Sequence, residues 1–252
     1  MTDWYRVGVP QEDGYDVEVI RGHAQRRWGE RILAGAMVVE RLPWEMDRYE
    51  AVDPDEAAPL LDLVRLWPLG WSALSGCVDA FYPIRTAGSS MSGGGCSCGH
   101  SLPGERLAIY ATVDNAFGGA EGFCHEAGHA RLYALGIDME AHDGKLLAND
   151  PEERYESPIR KDKLRPMSAV LQGQYAYIFV TAFDVALHPQ NFPSSPVGAA
   201  EVERYVGHNL PRIKEGRATI ERHVKTTAEG EKFIRGIQDW TDEVIARAEV
   251  LL

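Results

Sequence analysis

Cysteine is scarce in this chain: four in 252 residues, at Cys77, Cys96, Cys98 and Cys124. A chain with so few does not rest on a disulfide framework, and free thiols are the expected state. Positive charge is also short. Lys and Arg number 26 against 38 Asp and Glu, a formal net charge of −12. That balance argues against general binding to nucleic acid or anionic membrane. No apolar run approaches the ~18 residues of a membrane span. The opening Met1-Thr2-Asp3-Trp4-Tyr5-Arg6 lacks a basic stretch followed by an apolar one, so no signal peptide is expected and the cytoplasm is the expected location.

What remains is an ordinary globular balance, 44% hydrophobic and 25% charged. The length suits one large domain, and a single domain over 1–252 is the expectation. Residues 86–104 are rich in Gly, Ser and Cys and read as a loop, a candidate lid. Within them Cys96-Ser97-Cys98-Gly99-His100 has a C-x-C spacing unlike a zinc knuckle, so incidental thiols are favoured over a second metal site.

Apolar residues at three- and four-residue steps predict a long helix over 17–41, ended by Pro43. Asp53-Pro54-Asp55 reads as a helix start, with Asp53 as cap. Residues 71–85 read as a short helix or strand, and Leu107–Ala111 as a strand. A helix over about 120–135 follows, with Gly136 past its end. Pro166 opens another towards Leu187, and two more fill about 199–225 and 227–250. The fold class is mainly α with a small β element (α+β).

The chemistry concentrates in His125-Glu126-Ala127-Gly128-His129. Histidines four apart on a helix project from one face, about 6 Å apart at the base, and a first-row divalent metal suits such a pair. Glu126 sits beside them, in reach of a bound water or substrate. A strand ahead of such a helix is the zincin-like arrangement of zinc peptidases. Those enzymes complete the ligand set with a later His or with a Glu on the next helix. Here Ala130 to Leu135 carry no His, and 166–187 carry no Glu. Gln172 is a candidate third ligand, as a polar group on an apolar helix face. Asp138, Glu156 and Asp162 are carboxylate alternatives.

Two further segments bear on this motif: Tyr155-Glu156-Ser157-Pro158-Ile159-Arg160-Lys161-Asp162-Lys163-Leu164-Arg165-Pro166 and Leu171-Gln172-Gly173-Gln174-Tyr175-Ala176-Tyr177. With His125 to His129, in that order and spacing, they make the chain resemble the HExxH-type peptide β-hydroxylases. The resemblance covers about 107–187. It departs from the family pattern at Ile159, where Trp is usual, and in a stretch one residue longer between Arg160 and Arg165. It implies an iron(II)- and 2-oxoglutarate-dependent oxygenase that uses O₂ to hydroxylate a side-chain β-carbon in a ribosomally made precursor peptide. It implies a metal-site core over 107–187. It makes Arg160 and Arg165 candidates for the cosubstrate's distal carboxylate, since a guanidinium fork matches a carboxylate. By themselves these arginines read as a surface salt-bridge loop. Tyr155 and Tyr175 would line the substrate pocket, or equally sit in the core. Two other readings stay open: a zinc peptidase with Glu126 as general base, and a non-enzymatic peptide-binding protein with a vestigial metal site.

Overall fold

The computed structural model describes residues 37–41, 49–86, 100–102, 106–134, 146–157, 161 and 163–252. The chain divides into two compact units, one of Ala24–Ala134 and one of Met1–His23 with Leu135–Leu252. The 107–187 stretch therefore runs through the boundary between them.

The first unit is built on a mixed sheet. Its strands are β1 (Val38–Val39), β2 (Tyr49–Ala51), β3 (Ala80–Thr86), β4 (His100–Leu102) and β5 (Arg106–Thr112). The order is β1-β3-β5-β4, and β2 pairs with β3. β1 and β5 run parallel to β3, while β2 and β4 run antiparallel to their neighbours. Val38 and Val39 pair with Ala80 and Phe81, so a strand stands where a helix over 17–41 is expected. Two β-branched residues suit a ladder better than a helix end. Residues 17–36 of that expected helix lie outside the described residues. So does most of the expected 86–104 loop, although His100–Leu102 within it forms β4.

Both faces of β3 and β5 are covered, which explains their unbroken apolar character. Ala80, Tyr82, Ile84, Ala108 and Tyr110 form one buried cluster. Tyr82 and Tyr110 stack there with centroids 5.6 Å apart. Phe81 and Ile109 are also fully buried and point to the other face. Among the described residues this unit has three helices: α1 (Ala58–Arg65), α2 (Pro68–Ser75) and α3 (Ala116–Ala134). Asp53 caps a 3₁₀ turn, Pro54–Ala57, that leads into α1, and Glu56 closes the capping box. Leu60, Leu61 and Val64 bury the apolar side of α1.

Among its described residues the second unit has three long helices: α4 (Met167–Leu187), α5 (Ala199–His223) and α6 (Ala228–Glu249), each packed on the other two. α4 is buried on nearly every side, as its almost wholly apolar sequence requires. Its Tyr175 and Phe179 meet Trp240 of α6 edge-on, with centroids 6.1 and 4.7 Å away. Two buried polar groups of α4 are paired to α5: Asn209 donates to Asp184 at 3.0 Å, and Gln174 donates to the Ile213 carbonyl at 3.0 Å. The fold is thus mainly α with a small sheet, as the sequence suggests.

Candidate metal centre

α3 begins at the end of β5, and the chain chemistry there sets its direction. Asn115 accepts a hydrogen bond from Gly118 N at 2.8 Å, an N-cap that satisfies one of the helix's orphan donors. Gly119 then lies so close to β5 that a Cβ on it would stand 2.4 Å from the Thr112 carbonyl oxygen. Only glycine permits that approach. Phe123 anchors the next turn, meeting Phe81 of β3 edge-on at 5.5 Å and Trp71 of α2 at 6.0 Å.

One turn further the motif faces a partly open site. The His125 and His129 rings stand 4.7 Å apart at 87°, with their Nε2 atoms 3.2 Å from each other. Two donors on one ion at about 2.1 Å are roughly 2.9 Å apart at a right angle and 3.4 Å apart at a tetrahedral one. The observed spacing falls inside that range, so the pair fits a first-row metal without rearrangement. Glu126 is 2% exposed. Its Oε1 lies 3.5 Å from His125 Nε2. Among the described residues, Glu126 Oε1 and His129 Nδ1 are buried with no hydrogen-bond partner. These three residues are the one His/Cys/Asp/Glu cluster with metal-holding geometry among the described residues.

Burial sets the protonation states. It lowers the His125 pKa to about 4. His129 is driven well below its ordinary value, first by burial and then by the charge of His125. Burial raises Glu126 to about 8. At neutral pH both imidazoles are therefore neutral, the form that binds a metal, and the carboxyl keeps its proton until a cation arrives.

No family model matches the chain, and no curated protein matches it.

The structure brings together His125, Glu126 and His129 in the first unit. The other candidates belong to the second unit or lie outside the described residues. Gln172 is half-buried on α4. The inward glutamine of that helix is Gln174, which is fully buried and holds the Ile213 carbonyl; two residues of helix, about 200°, separate the two side chains. Tyr175 has no exposed surface and packs among Phe179, Phe233 and Trp240. Tyr155 and Arg165 are brought together by backbone pairing, Tyr155 N to Arg165 O at 2.8 Å and the reverse at 2.9 Å. The Tyr155 hydroxyl donates to Glu153 and accepts from Asn149 at 3.0 Å. Arg165 Nε is buried with no hydrogen-bond partner among the described residues. Glu156 is exposed. Arg160, Asp138 and Asp162 lie outside the described residues, as do Cys96 and Cys98.

Two residues of the α3 surroundings carry no sequence signal. Arg131, two positions past His129, donates to the Ala73 carbonyl of α2 and reaches Cys77 Sγ at 3.8 Å. Burial pushes the Cys77 thiol up, and the Arg131 guanidinium partly offsets this. Cys77 and Cys124 are thiols and not disulfide-bonded. The partners of Arg131 lie more than fifty positions away in the chain, and no local spacing announces them.

Proposed function

We propose that this chain is an iron(II)- and 2-oxoglutarate-dependent oxygenase that hydroxylates a side-chain β-carbon in a ribosomally made precursor peptide. The observation that carries the metal is the 3.2 Å separation of the His125 and His129 Nε2 atoms. The choice of reaction rests on the resemblance of the 155–166 and 171–177 segments. It is supported by Arg165, whose buried Nε–H lacks an acceptor among the described residues and is suited to an anion.

Iron(II) with 2-oxoglutarate, when bound, supplies the oxidising power drawn from O₂, with succinate and carbon dioxide as coproducts. The chain's own residues do the rest. His125 and His129 present neutral nitrogens. Glu126 gives up its proton when positive charge enters the site. The resemblance assigns the cosubstrate's distal carboxylate to Arg160 and Arg165. A surface with net charge −12 suits a neutral or basic peptide better than an acidic one. The cytoplasm is the compartment in this reading. Among the described residues no helix is long and apolar enough to cross a membrane.

The runner-up is a zinc peptidase with Glu126 as general base, favoured by one observation: α3 leaves the sheet directly from β5, with the carboxyl beside the histidine pair. Full-length protein purified without air and loaded separately with iron(II) and zinc decides between them. The oxygenase reading expects iron-dependent 2-oxoglutarate binding, lost in His125→Ala and weakened in Arg165→Ala. Tight zinc, no 2-oxoglutarate binding and O₂-independent peptide cleavage would establish the peptidase instead.

A further inference from the structure

The motif's glutamate has more to do than sit beside a metal. We propose that Glu126 is itself a ligand, so that His125 Nε2, Glu126 Oε1 and His129 Nε2 form a two-histidine, one-carboxylate face supplied by a single helix. This rests on the reading of His125 and His129 as metal ligands and deepens it.

Distance comes first. The three donor atoms all lie within 4.8 Å of one another, with one edge at 3.2 Å and another at 3.5 Å. Neighbouring donors on one ion span roughly 2.9–3.4 Å. A carboxylate swing of up to about 1.4 Å, within the reach of a side chain that long, closes the remaining edge. Helix geometry allows it. Glu126 and His129 are three apart, the Glu-x-x-His spacing with which helices in carboxylate-bridged metal proteins present two ligands to one site. His125 and His129 are four apart.

Burial points the same way. The Glu126 side chain is 3% exposed against 24% for His125. Its Oε1 makes no hydrogen bond among the described residues, with His125 Nε2 standing 3.5 Å away. A general base serving an incoming water or substrate is better placed at the open side of the site than beneath the imidazoles. A buried carboxyl oxygen left without a hydrogen bond is stabilised as a carboxylate by a cation beside it. Charge agrees too. Two neutral histidines leave a divalent ion with its full charge in a largely buried site. One carboxylate halves it, and a single positive charge remains to attract an anionic cosubstrate.

The test is metal titration of the full chain with nickel(II), a redox-inert probe that imidazole binds well. Circular dichroism of each variant checks folding, and the isosteric Glu126→Gln and the shorter Glu126→Asp bracket the side chain. The expected result is a fall in affinity of more than a hundredfold in Glu126→Gln, similar to that in His129→Ala. In Glu126→Ala, added formate restores at least tenfold by supplying the missing carboxylate. A residue acting only beside the metal costs less than about a hundredfold and shows no formate rescue. Either result overturns the proposal. Failure of the wild-type chain to bind nickel(II) at all would instead remove the metal-site reading beneath it.

Discussion

Metal binding to this site should release close to one proton, and that proton should come from the glutamate rather than from the histidines. The pKa of Glu126 stands at about 8 and that of His125 at about 4, with His129 lower than usual as well. At pH 7 the carboxyl is about 90% protonated and the imidazoles carry almost nothing; at pH 6 it is about 99% protonated and His125 about 1%. A dication within a few ångströms makes the carboxylate the stable form. Saturation with nickel(II) should therefore release about 0.9 proton at pH 7 and about 1.0 at pH 6, nearly flat across that interval. Ordinary exposed groups would behave differently. Two histidines at 6.5 and a glutamate at 4.5 would release about 0.5 proton at pH 7, about 1.5 at pH 6 and about 2 at pH 5. Calorimetric titrations in two buffers of different ionisation enthalpy measure the number directly. In Glu126→Gln, at protein concentrations that still saturate, the release should drop to near zero. A count climbing towards two as pH falls, unchanged in Glu126→Gln, would refute the burial argument.

The metal-free chain should have a site contribution to stability that peaks near pH 6.5. Glu126 has a folded pKa above its unfolded one, so stability falls as pH rises from about 4.5 to 8. His125 and His129 have folded pKa values below their unfolded ones, so as pH drops below about 6.5 the two together lower stability by more than the one carboxyl raises it. Urea titrations across pH 5–9 check this, and Glu126→Gln should raise stability above pH 6.5 by a few kcal/mol. Arg131→Ala removes the donor to the Ala73 carbonyl and should cost about 1–3 kcal/mol, read as a lower Tm. Asn149→Ala should cost a similar amount, because that one side chain bonds the Tyr155 hydroxyl, the His223 carbonyl and Lys225 N; no change in the denaturant midpoint would count against it. Tyr175→Ala should destabilise by about 3–5 kcal/mol as a core truncation, a loss that chemical denaturation would show without any substrate present.

The helices were legible because local chemistry dictates them. Asp53 and Pro54 start one helix turn, Thr227 caps α6, and the apolar run after Pro166 has one way to be buried. The histidine pair was legible for the same reason, since a four-residue step on a helix needs no tertiary knowledge. What depends on distant partners was not. Val38 and Val39 become a strand only because Ala80 and Phe81 lie beside them. Gln174 rather than Gln172 turns inward because the Ile213 carbonyl, 39 residues on, offers a partner. The pairing of Tyr155 with Arg165 folds a charged segment back on itself, and no periodicity in that segment foretells it.

The bare backbone contact at Gly119 gives α3 a fulcrum. His125 lies six residues beyond it and His129 ten, which is about 9 and 15 Å along the helix axis. A tilt of only 5° at that point would carry the imidazoles sideways by about 0.8–1.3 Å while leaving their spacing from each other unchanged. A methyl group wedged there, as in Gly119→Ala, would thus spare the chelate and shift its aim relative to the strand. In such a lever the spacing of the two imidazoles and the direction in which they point are adjustable separately, one by the motif and the other by a glycine nearly two turns away.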